Sequence, residues 1–175
     1  MAIMCNDAAK EFVSVEEGFE IVGPVVKNSD IFFMENENPS VMGAVSNRKY
    51  QEELIKKYYP NAEVKNIIHN ALPYSVESGL VDGGVMDVIK SIGLKGKKES
   101  CSAKGDFVTY VLVVNSSFKN TEDYNLFVEL YNKSVDEMKS YSTLKKSIEK
   151  YRNIEIDDSD MEVIEDCRLE FLKIK

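Results

Sequence analysis

Three short polar segments carry the side chains best suited to holding a small solute, and each directly follows an apolar run. They are Cys5, Asn6 and Asp7 after Ala2–Met4; Ser46, Asn47 and Arg48 after Val41–Val45; and His69 and Asn70, with Tyr74 close behind, after Val64–Ile68. In an open α/β sheet, ligands bind beyond the carboxyl ends of the strands, where loops lead into helix N-termini with unpaired N–H groups. The order therefore predicts that these residues line a ligand-binding cleft.

The segment Ser46-Asn47-Arg48 is the strongest candidate for contact with a solute. A hydroxyl, an amide and the N–H groups of a first helical turn would hold an anion, and Arg48 would add a bidentate pair. The alternative is structural: Ser46 or Asn47 caps a helix, and Arg48 is a solvated side chain. Both interpretations stay open at the level of sequence.

Catalytic chemistry has few candidate groups. His69 is the only histidine, so a Ser-His-Asp relay or a histidine metal cluster has at most one imidazole available. Asp82 and Asp87 flank Gly83-Gly84, but on a regular strand their spacing puts them on opposite faces, so we interpret them as caps of a turn and a helix. No GxGxxG or Walker loop is present. We expect no enzyme activity and no cofactor.

The cysteines, Cys5, Cys101 and Cys167, are too far apart in sequence for a metal knuckle or a disulfide framework. Cys5 lies next to a predicted helix N-terminus, an environment that lowers the pKa of a thiol. If Cys5 and Cys101 approached each other across the cleft, two thiolates would suit a soft metal or an organometal. The alternative is buried, inert thiols, and we predict no metal site.

Charge and hydropathy exclude two classes of protein. The 175 residues include 22 Lys and Arg against 30 Asp and Glu, a formal net charge of −8, and the lysines form scattered pairs. Nucleic acid binding needs clustered basic residues, so we do not expect it. No apolar run approaches the roughly 20 residues of a membrane span, and the first residues, MAIMCNDAAK, lack the features of an export signal.

Apolar strands alternate with short helices through the centre of the chain. The predicted strands are Ala2–Met4, Glu20–Val26, Asp30–Met34, Val41–Val45, Val64–Ile68, Val81–Asp87 and Phe107–Asn115, and the predicted central helices are Arg48–Tyr59 and Ala71–Ser78. This order is typical of a small parallel α/β sheet. The residues after 120 are predicted to be helical. Asp30–Met34 and Thr109–Val113 are predicted as the connections between two lobes.

Four stretches together resemble a known family. They are GPVVKNSDIFFM, SVMGAVSNRKYQEELIKKYYPNAEVKNI, ALPYSVESGLVDGGVMD and VTYVLVVNSSF, within residues 2–140. In this order they resemble type 2 periplasmic-binding-protein-like chains, in the group that includes nitrate-, sulfonate- and thiamine-precursor-binding subunits of ABC importers. The sequences of these stretches are also similar to the substrate-binding selenoprotein of the selenocysteine-assisted organometal transport system.

The resemblance implies an α/β, two-lobed type 2 periplasmic-binding-protein-like fold whose first lobe is incomplete. Lobe one is expected from residues 1–34 and 106–175, and lobe two from residues 39–103. The family carries an upstream signal and further strands of lobe one, so we expect an N-terminally truncated chain. A start assigned downstream of an in-frame selenocysteine codon would produce one. Full-length members of the family are extracytoplasmic, anchored to the membrane, and bind to an ABC transporter permease. The resemblance implies the same location and partner for the full-length form of this protein.

We therefore predict a substrate-binding component of an ABC importer that captures a small polar or anionic solute between its lobes by hinge closure. The alternatives are an enzyme on the same scaffold, as in thiamine-pyrimidine synthesis, and a cytosolic small-molecule-sensing domain. An incomplete lobe one exposes sheet edges, so we also expect a dimer formed through it.

Overall fold

A computed structural model describes residues 1–68 and 70–175. The strands are β1 (Ala2–Cys5), β2 (Phe19–Lys27), β3 (Asp30–Met34), β4 (Val41–Val45), β5 (Glu63–Ile67), β6 (Gly83–Asp87), β7 (Lys97–Ser100), β8 (Val108–Asn115) and β9 (Glu170–Phe171). The helices are α1 (Asn6–Val15), α2 (Lys49–Tyr58), α3 (Leu72–Glu77), α4 (Val88–Ser91), α5 (Glu122–Glu137), α6 (Tyr141–Arg152) and α7 (Asp158–Asp166). None of the helices in this part of the chain is long and apolar enough to span a bilayer.

Lobe one is built on an antiparallel sheet with the strand order β1-β8-β2-β9. Side chains alternate across β8, so Val111 and Val113 face one side of the sheet while Leu112 and Val114 face the other. Helix α1 packs on the first side and helix α5 on the second. The β-branched run therefore forms the centre of two small cores at once.

Lobe two is built on a mixed sheet with the order β5-β4-β6-β3-β7. Strand β4 runs parallel to both β5 and β6, whereas β3 is antiparallel to β6 and β7. The predicted parallel sheet is thus confirmed for β4, β5 and β6, and β3 and β7 extend it in the antiparallel sense. Helix α2 covers one face and helices α3, α4, α6 and α7 cover the other.

Two segments lie elsewhere than the sequence-based lobe boundaries place them. Strand β3, expected in lobe one, is hydrogen-bonded on both sides within the sheet of lobe two. Helices α6 and α7, also expected in lobe one, bury Ile148, Met161 and Ile164 in the core of lobe two. All five residues of β3 are buried, because a central strand of a covered sheet is apolar on both faces. That pattern does not tell a connecting strand from a core strand.

The chain passes between the lobes at residues 28–29, 101–107, 138–140 and 167–169. Asn28 joins three of these connections. Its side-chain Nδ2 donates to Asp106 Oδ1 and to the carbonyl oxygen of Arg168, each at 3.1 Å, and its Oδ1 accepts from the backbone N of Phe107 at 3.0 Å. Asn28 is 1% exposed and has a φ of 57°, a left-handed conformation that asparagine tolerates. The side chain of Asn28 therefore holds three of the four connections together.

Candidate functional site

The sheet of lobe two changes its direction of growth at β4. From β4 the chain continues through α2 to β5 on one side, and from β5 through α3 to β6 on the other side. Strand β4 leads into α2 and strand β6 leads into α4, and because these helices cover opposite faces, the loops after β4 and β6 lead away from each other. Such a point leaves a crevice at the carboxyl ends of the two strands, and this is where open α/β sheets bind ligands.

A cavity of about 140 Å³ occupies this crevice. Its wall combines four polar or charged side chains with five apolar ones. The lining residues are Val45, Arg48, Asn70, Leu72, Pro73, Met86, Asp87, Lys90 and Leu94.

The guanidinium of Arg48 is the strongest anion-binding group in the wall. Arg48 is half-buried, and none of the carboxylates described by the structure lies within ion-pairing distance of it. Its Nη1 donates a long hydrogen bond of 3.4 Å to the phenol oxygen of Tyr50. Burial lowers the pKa of Arg48, but Tyr50 and then Asp30 more than offset this, so its pKa lies above the ordinary value. Arg48 therefore presents a permanent positive charge to the cavity.

A buried hydrogen-bond network holds Arg48 in place from behind. Asp30 is 1% exposed, and its Oδ2 accepts from the Tyr50 hydroxyl at 2.6 Å and from Gln51 Nε2 at 2.7 Å. The Oε1 of Gln51 accepts from the backbone N of Val45 at 2.9 Å, at the end of β4. Asp30 Oδ1 has no hydrogen-bond partner among the described residues. The network fixes α2 to two strands of the sheet.

Asp87 places a second carboxylate beside Asp30, since the two residues are cross-strand partners of β6 and β3. Its Oδ1 accepts from the backbone N of Ile89 at 3.0 Å and caps α4. Burial and then the charge of Asp30 raise the pKa of Asp87 to about 6. Across the crevice, burial and the carboxylates of Asp87 and Asp30 raise the pKa of Tyr110, on β8 of lobe one, to about 12. The phenol of Tyr110 therefore stays protonated.

Asp7 connects the lobes directly. The N-cap position of its own helix, α1, is occupied by Cys5, which makes no side-chain capping hydrogen bond. The Oδ2 of Asp7 instead accepts from the backbone N of Tyr50, in the first turn of α2, at 3.1 Å. A carboxylate is favoured there because the first N–H groups of a helix lack intrahelical partners.

The sequence-predicted residues occupy different parts of this region. Arg48 and Asn70 line the cavity, whereas Asp7 and Asn47 line a separate, more open space of about 550 Å³, together with Lys10, Glu11 and Lys49. Asn47 has a φ of 66° and forms the turn before α2. The exposed Ser46 donates its hydroxyl to the carbonyl oxygen of Ile67 at 3.3 Å.

The remaining candidates lie at the edges or outside. Cys5 and Asn6 are half-buried at the start of α1, and Cys5 contributes to the electrostatic environment of Arg48. Tyr74 is 70% exposed on α3 and lines neither space. His69 lies outside the described residues. Whether these residues bind a solute stays a prediction.

Sequence reasoning missed the residues that support the site. Tyr50 lies on α2, and its ring stacks on Phe107 with the centroids 6.1 Å apart. Asp30 was predicted to belong to a connecting strand, and the sequence led to no prediction for Gln51. A polar residue at a helix position facing the sheet, as Gln51 is, was the available signal, because such a residue is buried only with hydrogen-bond partners.

The structure gives no support to a thiolate pair. Cys101 is fully buried in the core under α2, and burial raises the pKa of its thiol well above the ordinary value. Within residues 1–68 and 70–175, no group of three or more His, Cys, Asp or Glu side chains is arranged to hold a metal ion.

Comparison with solved structures identifies the fold. The ligand-binding component of an ABC-type import system from Staphylococcus aureus, solved with zinc bound, matches with a TM-score of 0.70 at 13% identity, over 99% of this chain and 67% of that one. An ABC transporter periplasmic substrate-binding protein from Coxiella burnetii matches with a TM-score of 0.52 at 13% identity, over 81% of this chain and 70% of that one. A TRAP periplasmic solute-binding protein from Xanthobacter autotrophicus, with bound β-D-galacturonate, matches with a TM-score of 0.52 at 14% identity, over 95% and 55%.

These matches confirm the expected fold class, a two-lobed α/β periplasmic-binding-protein fold. At such low identities the likeness extends to the fold alone. The chain spans about two thirds of the length of the Staphylococcus protein and 55% of the Xanthobacter protein. No family model and no curated protein matches the chain.

Proposed function

We propose that this chain captures a small solute with an anionic group in the crevice between its lobes, as the binding component of an importer. The carrying observation is Arg48, a half-buried guanidinium that lines the cavity at the switch point and has no carboxylate partner within 4 Å among the described residues. A half-buried cation that no carboxylate contacts directly can still pair with an incoming anion, and the charge-assisted hydrogen bonds of that pair are a source of free energy.

The two-lobed geometry supports a closure mechanism. The cavity lies on lobe two, while Asp7 and Tyr110 approach it from lobe one. A solute bound to Arg48 would touch both lobes only when they are closed, so binding would shift the equilibrium towards the closed form. The S. aureus, C. burnetii and X. autotrophicus proteins are binding components of import systems, and this supports a non-enzymatic role over the enzyme alternative.

The same likeness supports a transporter permease as the partner and an extracytoplasmic location, with membrane anchoring implied by the sequence resemblance alone. Assignment to the nitrate, sulfonate or organometal group rests on that resemblance as well. The predicted dimer through lobe one stays a prediction; light scattering that shows a monomer would contradict it.

The test is isothermal titration of the purified chain with sulfate, acetate, glycerate and 3-methylbutanoate, followed by the variant Arg48→Gln. We expect at least one anion to bind, and Arg48→Gln to weaken it roughly 10- to 100-fold through loss of charge-assisted hydrogen bonds. Lys49→Gln is the matched control, because Lys49 is the neighbouring cation in the sequence but lines the separate open space and not the cavity. Equal losses in both variants, or binding by neither wild type nor variant, would overturn the proposal.

A further inference from the structure

Part of the cavity wall is hydrocarbon. Val45, Leu72 and Met86 form a floor in which each residue is at most 7% exposed, and Pro73 and Leu94 are half-buried at the rim. The polar side consists of Arg48 with Asn70, Asp87 and Lys90. Both kinds of surface line the same small space.

The apolar floor is built into the sheet. Gly43 on β4 and Gly84 on β6 are register partners, and Leu72 of α3 lies over both. A Cβ atom at Gly43 would come within 2.6 Å of the Leu72 Cδ1 atom, and one at Gly84 within 2.5 Å. Only glycine at these two positions lets Leu72 sit against the strands at the base of the cavity. The leucine therefore has a fixed place in the wall.

The size of the cavity limits the part of a solute that it holds. An apolar protein cavity of about 150 Å³ accommodates a molecule the size of benzene. At about 140 Å³ this cavity matches a group of roughly six non-hydrogen atoms. A hexose acid would exceed that space, and a bare oxyanion would leave the hydrocarbon floor uncovered.

We infer that the solute is a small amphipathic anion, whose anionic head pairs with Arg48 and whose short, branched or cyclic hydrocarbon part lies against Leu72, Met86 and Leu94. The inference rests on the proposed function and narrows the class of solute. Hydroxyl groups placed against the floor would lose their hydrogen bonds to water without replacement, so polyhydroxylated acids are disfavoured. Hydrocarbon in the same place gains free energy by leaving water.

The deciding experiment compares 3-methylbutanoate with glycerate by isothermal titration, with sulfate as a third probe. The two acids have the same charge and the same number of non-hydrogen atoms, and they differ in hydrocarbon against hydroxyl groups. We expect 3-methylbutanoate to bind at least about 10-fold more tightly than glycerate. Leu94→Asn should weaken 3-methylbutanoate roughly 3- to 10-fold and glycerate less. Leu80→Asn is the control, because Leu80 is 53% exposed and away from the cavity.

The outcomes separate the inference from the proposed function. If sulfate or glycerate bound with an affinity equal to or higher than that of 3-methylbutanoate, and this binding depended on Arg48, the proposed anion-binding function would stand. The inference of an amphipathic solute would then be overturned. Absence of binding by all three probes would overturn both. The thermal midpoint of each variant without ligand, compared with wild type, shows whether a loss of affinity reflects unfolding.

Discussion

The Oδ2 atom of Asp7 in lobe one accepts a hydrogen bond from the backbone N of Tyr50 in lobe two, at 3.1 Å. A side chain that could have capped its own helix caps a helix of the other lobe instead. The bond exists only when the lobes are close, so it contributes to the stability of the closed form.

The variant Asp7→Ala should open the cleft. Loss of a helix-capping carboxylate costs roughly 0.5–2 kcal/mol, and here that free energy is taken from the closed form alone. We expect a larger radius of gyration by small-angle X-ray scattering. Asp7→Asn, which keeps an acceptor oxygen, should show a smaller change, and Lys10→Ala on the same helix none. An unchanged radius for Asp7→Ala would show that other contacts hold the lobes together.

The variant Asn28→Ala should be strongly destabilising, because it removes three hydrogen bonds among the connections and places alanine at a positive φ. We expect a loss of roughly 3–5 kcal/mol in urea unfolding. Asn28→Gly keeps the backbone conformation accessible and should lose less. Asn153→Ala measures the backbone cost alone, since Asn153 has a φ of 53° at an exposed helix end. Similar losses at positions 28 and 153 would contradict the role of the side chain.

Gln51→Leu tests the network behind Arg48. Gln51 is fully buried, and its loss leaves the backbone N of Val45 without its acceptor and Asp30 with a single donor. We expect a destabilisation of roughly 2–4 kcal/mol by chemical unfolding. Glu53→Ala, on the exposed side of the same helix, should stay within about 0.5 kcal/mol of wild type. If Gln51→Leu left the free energy of unfolding unchanged, burial of the apolar side chain would compensate for the lost hydrogen bonds.

Asp87 should make the protein less stable as the pH rises from about 4 to about 6. Its pKa is raised from 3.8 to about 6 in the folded state, so between these values the folded state holds a proton that the unfolded state has released. The stability that protonated Asp87 contributes is fully present below about pH 4 and is lost as the pH rises through about 6. Asp87 is faced by Asp30, Arg48, Lys90 and Tyr110.

Asp87→Asn should remove this pH dependence while keeping the cap of α4, because asparagine caps helices as well as aspartate. We expect the variant to be more stable than wild type by about 1–3 kcal/mol at pH 7 and nearly equal to it at pH 4. Urea unfolding at half-unit steps measures the difference. A constant offset between the two proteins across pH 4–7 would rule out Asp87 as the titrating group.

Sequence periodicity predicted most of the elements, because alternating or continuous apolar residues reflect burial directly. It missed β7, whose residues Lys97–Ser100 are all polar, because a strand at a sheet edge needs no apolar pattern to pair with β3. It also missed β9, which is two residues long and recognisable only from its pairing with β2.

Open α/β sheets bind ligands beyond the carboxyl ends of their strands, and this rule led to Arg48 and Asn70, which line the cavity. It could not predict which residues surround them. The partners of Tyr50 are Asp7, 43 residues away, and Asp30, 20 residues away. Local spacing carries no information on such pairs, because the first is created by the packing of one lobe on the other and the second by the packing of α2 on the sheet of lobe two. Asp87 was correctly interpreted as the start of a helix, whereas its proximity to Asp30 follows from the antiparallel pairing of β3 with β6.

The repeated passage of the chain between lobes has a consequence during translation. The core of lobe two is complete only when Met161 and Ile164 have been added to it. Asn28 can donate its hydrogen bond to the carbonyl oxygen of Arg168 only after that residue, 140 positions further along the chain, has been synthesised. Neither lobe can reach its final packing until about residue 170 has left the ribosome. Until then the strands of both sheets expose apolar faces, so the growing chain would be a natural client for chaperones.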